Sequence, residues 1–223
     1  MLRGIKYVIF DLNGTLVTGS YPSWREVLEN KLGLERKGEE ELSLENLRLI
    51  AKGVQSFEEA LLRLYGVKNP GEIRGRALEL YTSSIGLREN TIEVLEKLRK
   101  NYRLILCSDT TGVAKEVVKK FSIKKYFTKL FYSCDMGALK GERKFWFKVL
   151  SNFPRSAPYE FLVIGDSPRS DVYWPKKLGM HTILIRGAIS SPDDYIEKPT
   201  GSIEEEPEYA IKTLKDLLRY LDE

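Results

Sequence analysis

A carboxylate placed where an apolar run stops is the feature of this chain richest in possible chemistry. Tyr7-Val8-Ile9-Phe10 ends abruptly on Asp11, and Leu12-Asn13-Gly14-Thr15 follows. The run is short, β-branched and aromatic, and it reads as a central strand. Gly14 lets the backbone turn, and such a turn offers N–H groups to an anion. In open α/β sheets ligands collect outside the carboxyl ends of the strands, so Asp11 stands where a catalytic group belongs. Two further strand-like runs end in polar groups, 103–107 in Ser108-Asp109 and 161–164 in Gly165-Asp166. Parallel strands share one carboxyl edge, which collects Asp11, Ser108 and Asp166. Asp171 lies five residues beyond Asp166, and Lys140 closes Gly137-Ala138-Leu139-Lys140 after another strand. Singly, each residue has a plain reading. A strand-end Asp often only shapes a turn, Ser108 suits a helix cap, a lone Lys is usually a solvated charge, and Asp171 suits a helix start. Their joint arrangement favours function.

Holding these groups together requires a sheet covered by helices. From residue 89 the pattern alternates: helix 89–100, strand 103–107, helix 112–121, strand 130–133, helix 144–153, strand 161–164, helix 171–178, strand 182–185. Pro175 is expected to kink or shorten the helix that contains it. A polar, proline-bearing loop over 190–206 and a closing helix over 208–221 complete the chain. Strands alternating with helices predict a three-layer, Rossmann-like α/β core with a parallel sheet. Residues 17–87 break the alternation. Apolar residues recur at helical spacing over 23–34, 42–51, 57–65 and 73–85, predicting about four helices with no strand between them. Ser56 with Glu59 predicts a capped start for the third. The expected organisation is a core of residues 1–16 and 88–223 with an inserted α-helical subdomain over 17–87.

The 223 residues suffice for one sizeable domain or a core with a smaller one. A net charge of +4, with Lys and Arg scattered among Asp and Glu, argues against a dedicated nucleic-acid surface and leaves room for anionic small molecules. His181 is the only histidine, which leaves little for histidine triads or histidine metal clusters. Cys107 and Cys134 lie in strand-like runs and read as buried free thiols of a reducing cytosol. The first apolar run is short and ends in Asp11, unlike a cleavable signal, and no run has membrane-spanning length. A cytoplasmic protein with no membrane partner is expected. Trp24, Trp146 and Trp174 read as packing residues, with Trp24 a possible recognition residue.

Four motifs in order resemble those of the haloacid dehalogenase (HAD) superfamily. The family's Asp-x-Asp-Gly-Thr is matched by Asp11-Leu12-Asn13-Gly14-Thr15, its strand-end Ser/Thr by Ser108, its Gly-x-x-Lys by Gly137–Lys140 (with Gly141 where proline is usual), and its Gly-Asp-Ser-x-x-x-Asp by Gly165–Asp171. The helical insertion resembles the cap of one subclass. The resemblance implies a Mg²⁺-dependent phosphatase acting on a small phosphorylated metabolite. Asp11 would be the nucleophile. Mg²⁺ would be held by Asp11, the Asn13 carbonyl oxygen, Asp166 and, directly or at one remove, Asp171. Thr15, Ser108, Asp109 and Lys140 would bind phosphate, with Lys140 also offsetting the crowded carboxylates.

Asn13 departs from the family pattern. The resemblance assigns that position to an acid that protonates the leaving oxygen and then activates water, and an amide does neither at neutral pH. Several explanations stand. The enzyme is slow or takes a good leaving group; another residue or the substrate acts as base; the substitution was introduced to trap a complex; or Asn13-Gly14 deamidates. Alternatively the chemistry is that of a 2-haloacid dehalogenase-like hydrolase, forming an ester at Asp11 with no leaving-group proton, or the protein binds phosphometabolites with weak turnover.

Overall fold

The computed structural model describes residues 2–186 and 206–221. In chain order, strand β1 (Tyr7–Phe10) leads through the Asp11 loop to β2 (Val17–Gly19). A π-helical turn (Glu26–Lys31) and helices α1 (Leu44–Ala51), α2 (Phe57–Tyr65) and α3 (Pro70–Tyr81) follow. Strand β3 (Ile85–Leu87) then returns to α4 (Thr91–Leu98), β4 (Arg103–Ser108), α5 (Val113–Lys120) and β5 (Lys129–Tyr132). The remainder is α6 (Ser133–Met136), α7 (Arg143–Ser151), β6 (Phe161–Gly165), a π-helical turn (Pro168–Tyr173), α8 (Trp174–Lys177), β7 (His181–Ile185), β8 (Tyr209–Ile211) and a 3₁₀ helix (Leu214–Arg219).

Six strands form one parallel sheet in the order β5-β4-β1-β6-β7-β8, with β1 between β4 and β6. Successive side chains of a strand face opposite ways, and the core divides accordingly. Val8, Phe10, Leu104, Leu106, Leu162 and Ile164 pack with α4, α5 and the final 3₁₀ helix. Tyr7, Ile9, Ile105, Cys107, Phe161 and Val163 pack with Phe145, Trp146 and Val149 of α7. Both faces are covered, which explains why β1 reads as a continuous apolar run.

Between β2 and β3 lie only helices, as the spacing predicts. Ser56 Oγ accepts from the Glu59 N–H while the Glu59 carboxylate accepts from the Ser56 N–H, the reciprocal cap expected for α2. The insertion nevertheless opens and closes with strands that helical spacing does not reveal. β2 and β3 pair antiparallel, Val17 opposite Leu87 and Gly19 opposite Ile85. Three-residue strands carry too few positions to show a period.

The chain's end also differs from expectation. Residues 208–221 hold no long helix. Tyr209–Ile211 adds to the sheet beside β7, and Thr213 with Asp216 caps a short 3₁₀ helix. A three-residue strand shows no period of its own, so the sequence does not separate Tyr209–Ile211 from the helix expected over 208–221. The helix foreseen over 171–178 is split into the π-helical turn and α8, which meet just before Pro175. Cys134 stands on α6 and is partly exposed, whereas Cys107 is buried on β4 as foreseen. The loop foreseen over 190–206 falls, except for Glu206, outside the described residues. Among the described residues, no helix is long and apolar enough to cross a membrane.

Candidate active site

Asp11 follows the last residue of β1 and is anchored there by its own N–H, which donates to Ile164 O of β6 at 2.9 Å. The loop beyond it closes tightly. Leu12 O accepts from the N–H groups of Thr15, Leu16 and Val17, and the Gly14 N–H donates to Val17 O. Gly14 has φ 75°, a left-handed conformation that glycine adopts without penalty. Asn13 and Thr15 are buried, and Thr15 Oγ1 has no hydrogen-bond partner among the described residues.

Lys140 reaches Asp11 from more than a hundred residues away in sequence. Its Nζ lies 2.5 Å from Asp11 Oδ1 and 2.8 Å from Asp171 Oδ1, with Lys140 3% and Asp171 1% exposed. The segment carrying it is held from three sides. Asp109 Oδ1 accepts from the Lys140 N–H at 2.8 Å, the Trp146 indole donates to Lys140 O, and the Trp174 indole donates to Gly141 O. Indole N–H groups packed against protein find an acceptor, and here both the buried Trp146 and the partly buried Trp174 find theirs in the lysine segment. Trp146 and Trp174 therefore pack, as expected, and also position Lys140.

The fourth-motif acids follow β6. Asp171 Oδ2 accepts from the Ser167 N–H at 3.2 Å, so both of its oxygens are engaged. A Cβ on Gly165 would lie 2.1 Å from the Asp171 carboxylate, so only glycine fits before Asp166. Asp11, Asp166 and Asp171 each offer an oxygen within 4.8 Å of the others. Asp11 Oδ2 is buried and has no hydrogen-bond partner among the described residues. Three hard oxygen donors and a partnerless carboxylate oxygen fit a small divalent cation. Ser108 ends β4 fully buried, its hydroxyl donating to Asp109 O at 3.3 Å. Thr110 fixes the loop beyond it. Its Oγ1 accepts from the Gly112 and Ala114 N–H groups at the start of α5, and its N–H donates to Ser133 Oγ.

Burial sets the electrostatics. It pushes the Asp11 carboxyl up to about 7, with Lys140 pulling it down and Asp171 pushing it further up. Burial alone would lower the Lys140 ammonium, but Asp11, Asp171 and Asp109 together hold it well above the usual lysine range. Lys140→Met removes the shared cation and leaves two buried acids facing each other. Without added metal this variant should be less stable by about 3 kcal/mol near neutral pH. An uncompensated Asp11 is raised above its unfolded value, so protonation relieves the penalty, and the deficit should shrink as pH falls from about 8 to about 5. Urea denaturation across that range measures it.

The structure thus brings Asp11, Lys140, Asp166, Asp171 and Asp109 into one connected group, with Asn13, Thr15 and Ser108 on the adjoining loops. Two residues were not singled out from sequence. Arg88, just past β3, donates from Nη2 to Gly14 O at 2.5 Å. Burial lowers its pKa while the Asp166 carboxylate raises it, so the two are in electrostatic reach. Tyr21, just past β2, donates to Asn13 Oδ1 at 2.5 Å. Both lie where the insertion joins the core. Nothing in their local spacing marks them, because their partners are 74 and 8 residues away. Trp24, 6% exposed and stacked on Tyr81 at 4.0 Å, packs within the insertion.

A strand-end nucleophile candidate, a lysine bridging two acids and a parallel sheet of this order define a class that comparison identifies. The family model of haloacid dehalogenase-like hydrolases matches residues 5–203, and the chain belongs to that family. It is 28% identical over 195 residues to a glyceraldehyde 3-phosphate phosphatase of Pyrococcus abyssi, covering 82% of each chain. Two solved structures share the fold. A HAD family enzyme of Bacteroides thetaiotaomicron, an Asp-to-Ala mutant in complex with magnesium and inorganic phosphate, has a TM-score of 0.64 and 21% identity, over 86% of this chain and 100% of that one. A 2-haloacid dehalogenase of Pseudomonas syringae has a TM-score of 0.64 and 17% identity, over 97% of each chain. The chain is accordingly a HAD-superfamily hydrolase.

Proposed function

We propose that this hydrolase is a Mg²⁺-dependent phosphatase that cleaves small phosphate monoesters through an aspartyl-phosphate at Asp11. The observation that carries the reading is the triangle of Asp11, Asp166 and Asp171, with Lys140 bridging its two buried members, Asp11 and Asp171. Dehalogenation needs no such acid cluster. The Bacteroides enzyme of the same fold, solved in complex with magnesium and inorganic phosphate, supports it.

Asp11, Asp166 and the Asn13 carbonyl oxygen would hold Mg²⁺, and Asp171, with both oxygens engaged, would orient Lys140. When bound, the ion supplies charge neutralisation for the phosphate. Asp11 attacks phosphorus through a carboxylate oxygen, and the bond from phosphorus to the ester oxygen breaks. Ser108, Thr15 and the Lys140 ammonium would face the phosphoryl oxygens. Asp109 would serve chiefly by holding the Lys140 segment, its carboxylate being turned to that backbone. Water then attacks phosphorus, releasing phosphate and regenerating Asp11. Asn13 donates hydrogen bonds but no proton, so the leaving oxygen takes its proton from solvent or from the substrate.

Residues 17–87 would form a cap domain over the core of 1–16 and 88–223, keeping bulk water from the site while phosphorus is transferred to Asp11. A cleft of about 370 Å³ lies between insertion and core, lined by Gln55, Phe57, Arg74, Thr111 and Lys115 and not by Asp11, Lys140 or Asp166. Substrates are small phosphorylated metabolites in the cytoplasm, with neither nucleic acid nor membrane as partner.

The test is phosphate release from an aryl phosphate with Mg²⁺, with EDTA, and with Mg²⁺ restored. Release should require the metal. Metal-independent chloride release from a 2-haloacid would favour the dehalogenase reading, which draws on Asn13 because halide leaves without a proton. Tight phosphate binding without any hydrolysis would favour a binding protein.

A further inference from the structure

The Asn13 carboxamide is gripped from the insertion. Tyr21 Oη donates to its Oδ1 at 2.5 Å. The phenol's position is set by packing. The Tyr21 ring lies tilted on Tyr81 at 5.3 Å, Tyr81 stacks on Trp24 at 4.0 Å and 10°, and Trp24 lies against Phe57 at 4.6 Å. Trp24, Phe57 and Tyr81 are buried. These rings come from the start of the insertion, α2 and the end of α3. A hydroxyl carried on such a platform is placed with little freedom left to lose.

The two ends of a carboxamide are nearly equal in size and opposite in hydrogen-bonding sense. Turned one way, Asn13 presents N–H donors to a neighbour; turned the other, it presents an acceptor. The ester oxygen of a phosphate monoester gains negative charge as its bond to phosphorus breaks. A donor beside it stabilises that charge, and an acceptor opposes it. A phenol O–H donating to Oδ1 selects between the two orientations, because it commits the oxygen end of the amide to Tyr21.

We propose that Tyr21 is a positioning residue whose hydroxyl orients the Asn13 amide so that its N–H end is offered to the leaving oxygen of the substrate. The inference rests on the phosphatase reading above. It assigns Asn13 a defined role, hydrogen-bond donation without proton transfer, and makes that role depend on the insertion. The aromatic platform is then part of the active site through the Tyr21 hydroxyl.

Tyr21→Phe keeps the ring and its stacking and deletes only the donor. It should lower kcat about 10-fold, the scale of one lost hydrogen bond. KM and the melting temperature should stay near those of the parent, since ground-state binding and packing are untouched. In an Asn13→Ala background the same change should alter kcat by less than about 2-fold, because no amide remains to be oriented. An unchanged kcat in Tyr21→Phe, or an equal loss in both backgrounds, would overturn the proposal while leaving the phosphatase reading intact. A parent protein that releases no phosphate at all would remove that reading, and this proposal with it.

Discussion

Asp11→Asn should abolish phosphate release, with kcat reduced by at least about 10⁴-fold. Asparagine preserves the size of the side chain and removes the nucleophilic oxygen. An amide cannot displace an ester oxygen from phosphorus, and of the neighbouring carboxylates Asp166 would be held by the metal. Asp171 has both oxygens committed, to Lys140 and to the Ser167 N–H. The variant should remain folded, because the substitution removes a charge that burial disfavours, and Lys140 keeps Asp171 as a partner at 2.8 Å. Phosphate release and thermal unfolding of the same sample separate loss of chemistry from loss of structure. A folded variant with parental activity would mean that the nucleophile lies elsewhere.

The opposite substitution type, two residues on, should have the opposite effect. Asn13→Asp should raise kcat by about 10²- to 10⁴-fold, the usual yield of a positioned general acid and base. The gain should be largest for alkyl phosphates, whose poor leaving groups need a proton most, and smallest for aryl or acyl phosphates. The new carboxylate would adjoin the cluster of Asp11, Asp166 and Asp171, so without metal the variant should be less stable than the parent. Measuring kcat against a series of leaving groups, with Mg²⁺ saturating, checks both the size and the trend. A flat response would show that some other group already handles the proton.

Much of this site is legible in sequence because each of its parts is local. β1 announces itself as four apolar residues ending on a carboxylate, and it does so because both sheet faces are covered. Ser108 and Asp166 are found by the same rule, a polar residue where a strand ends, and the parallel sheet places them beside Asp11. Lys140 carries no local signal beyond its glycine-led segment and was found through the family pattern. What holds it, two indoles and the Asp109 carboxylate, is tertiary. β2 and β3 are too short to show a period, and their pairing joins residues 70 apart in the chain, Val17 and Leu87. Tyr21 and Arg88 lie just beyond those strands, so their roles stay hidden until the strands are paired. The end of the chain misled because a spacing that fits a helix also fits an edge strand followed by a turn.

The central claim is that Asp11 attacks phosphorus and that water then attacks phosphorus rather than the carboxylate carbon. A single turnover with enzyme in excess, run in water enriched in heavy oxygen and followed by mass spectrometry of both products, tests this directly. Label in the released phosphate, with none in the peptide that contains Asp11, is the expected result. Label in the Asp11 carboxylate would mean that an ester at carbon is hydrolysed there, as a dehalogenase requires, and would contradict the phosphatase account.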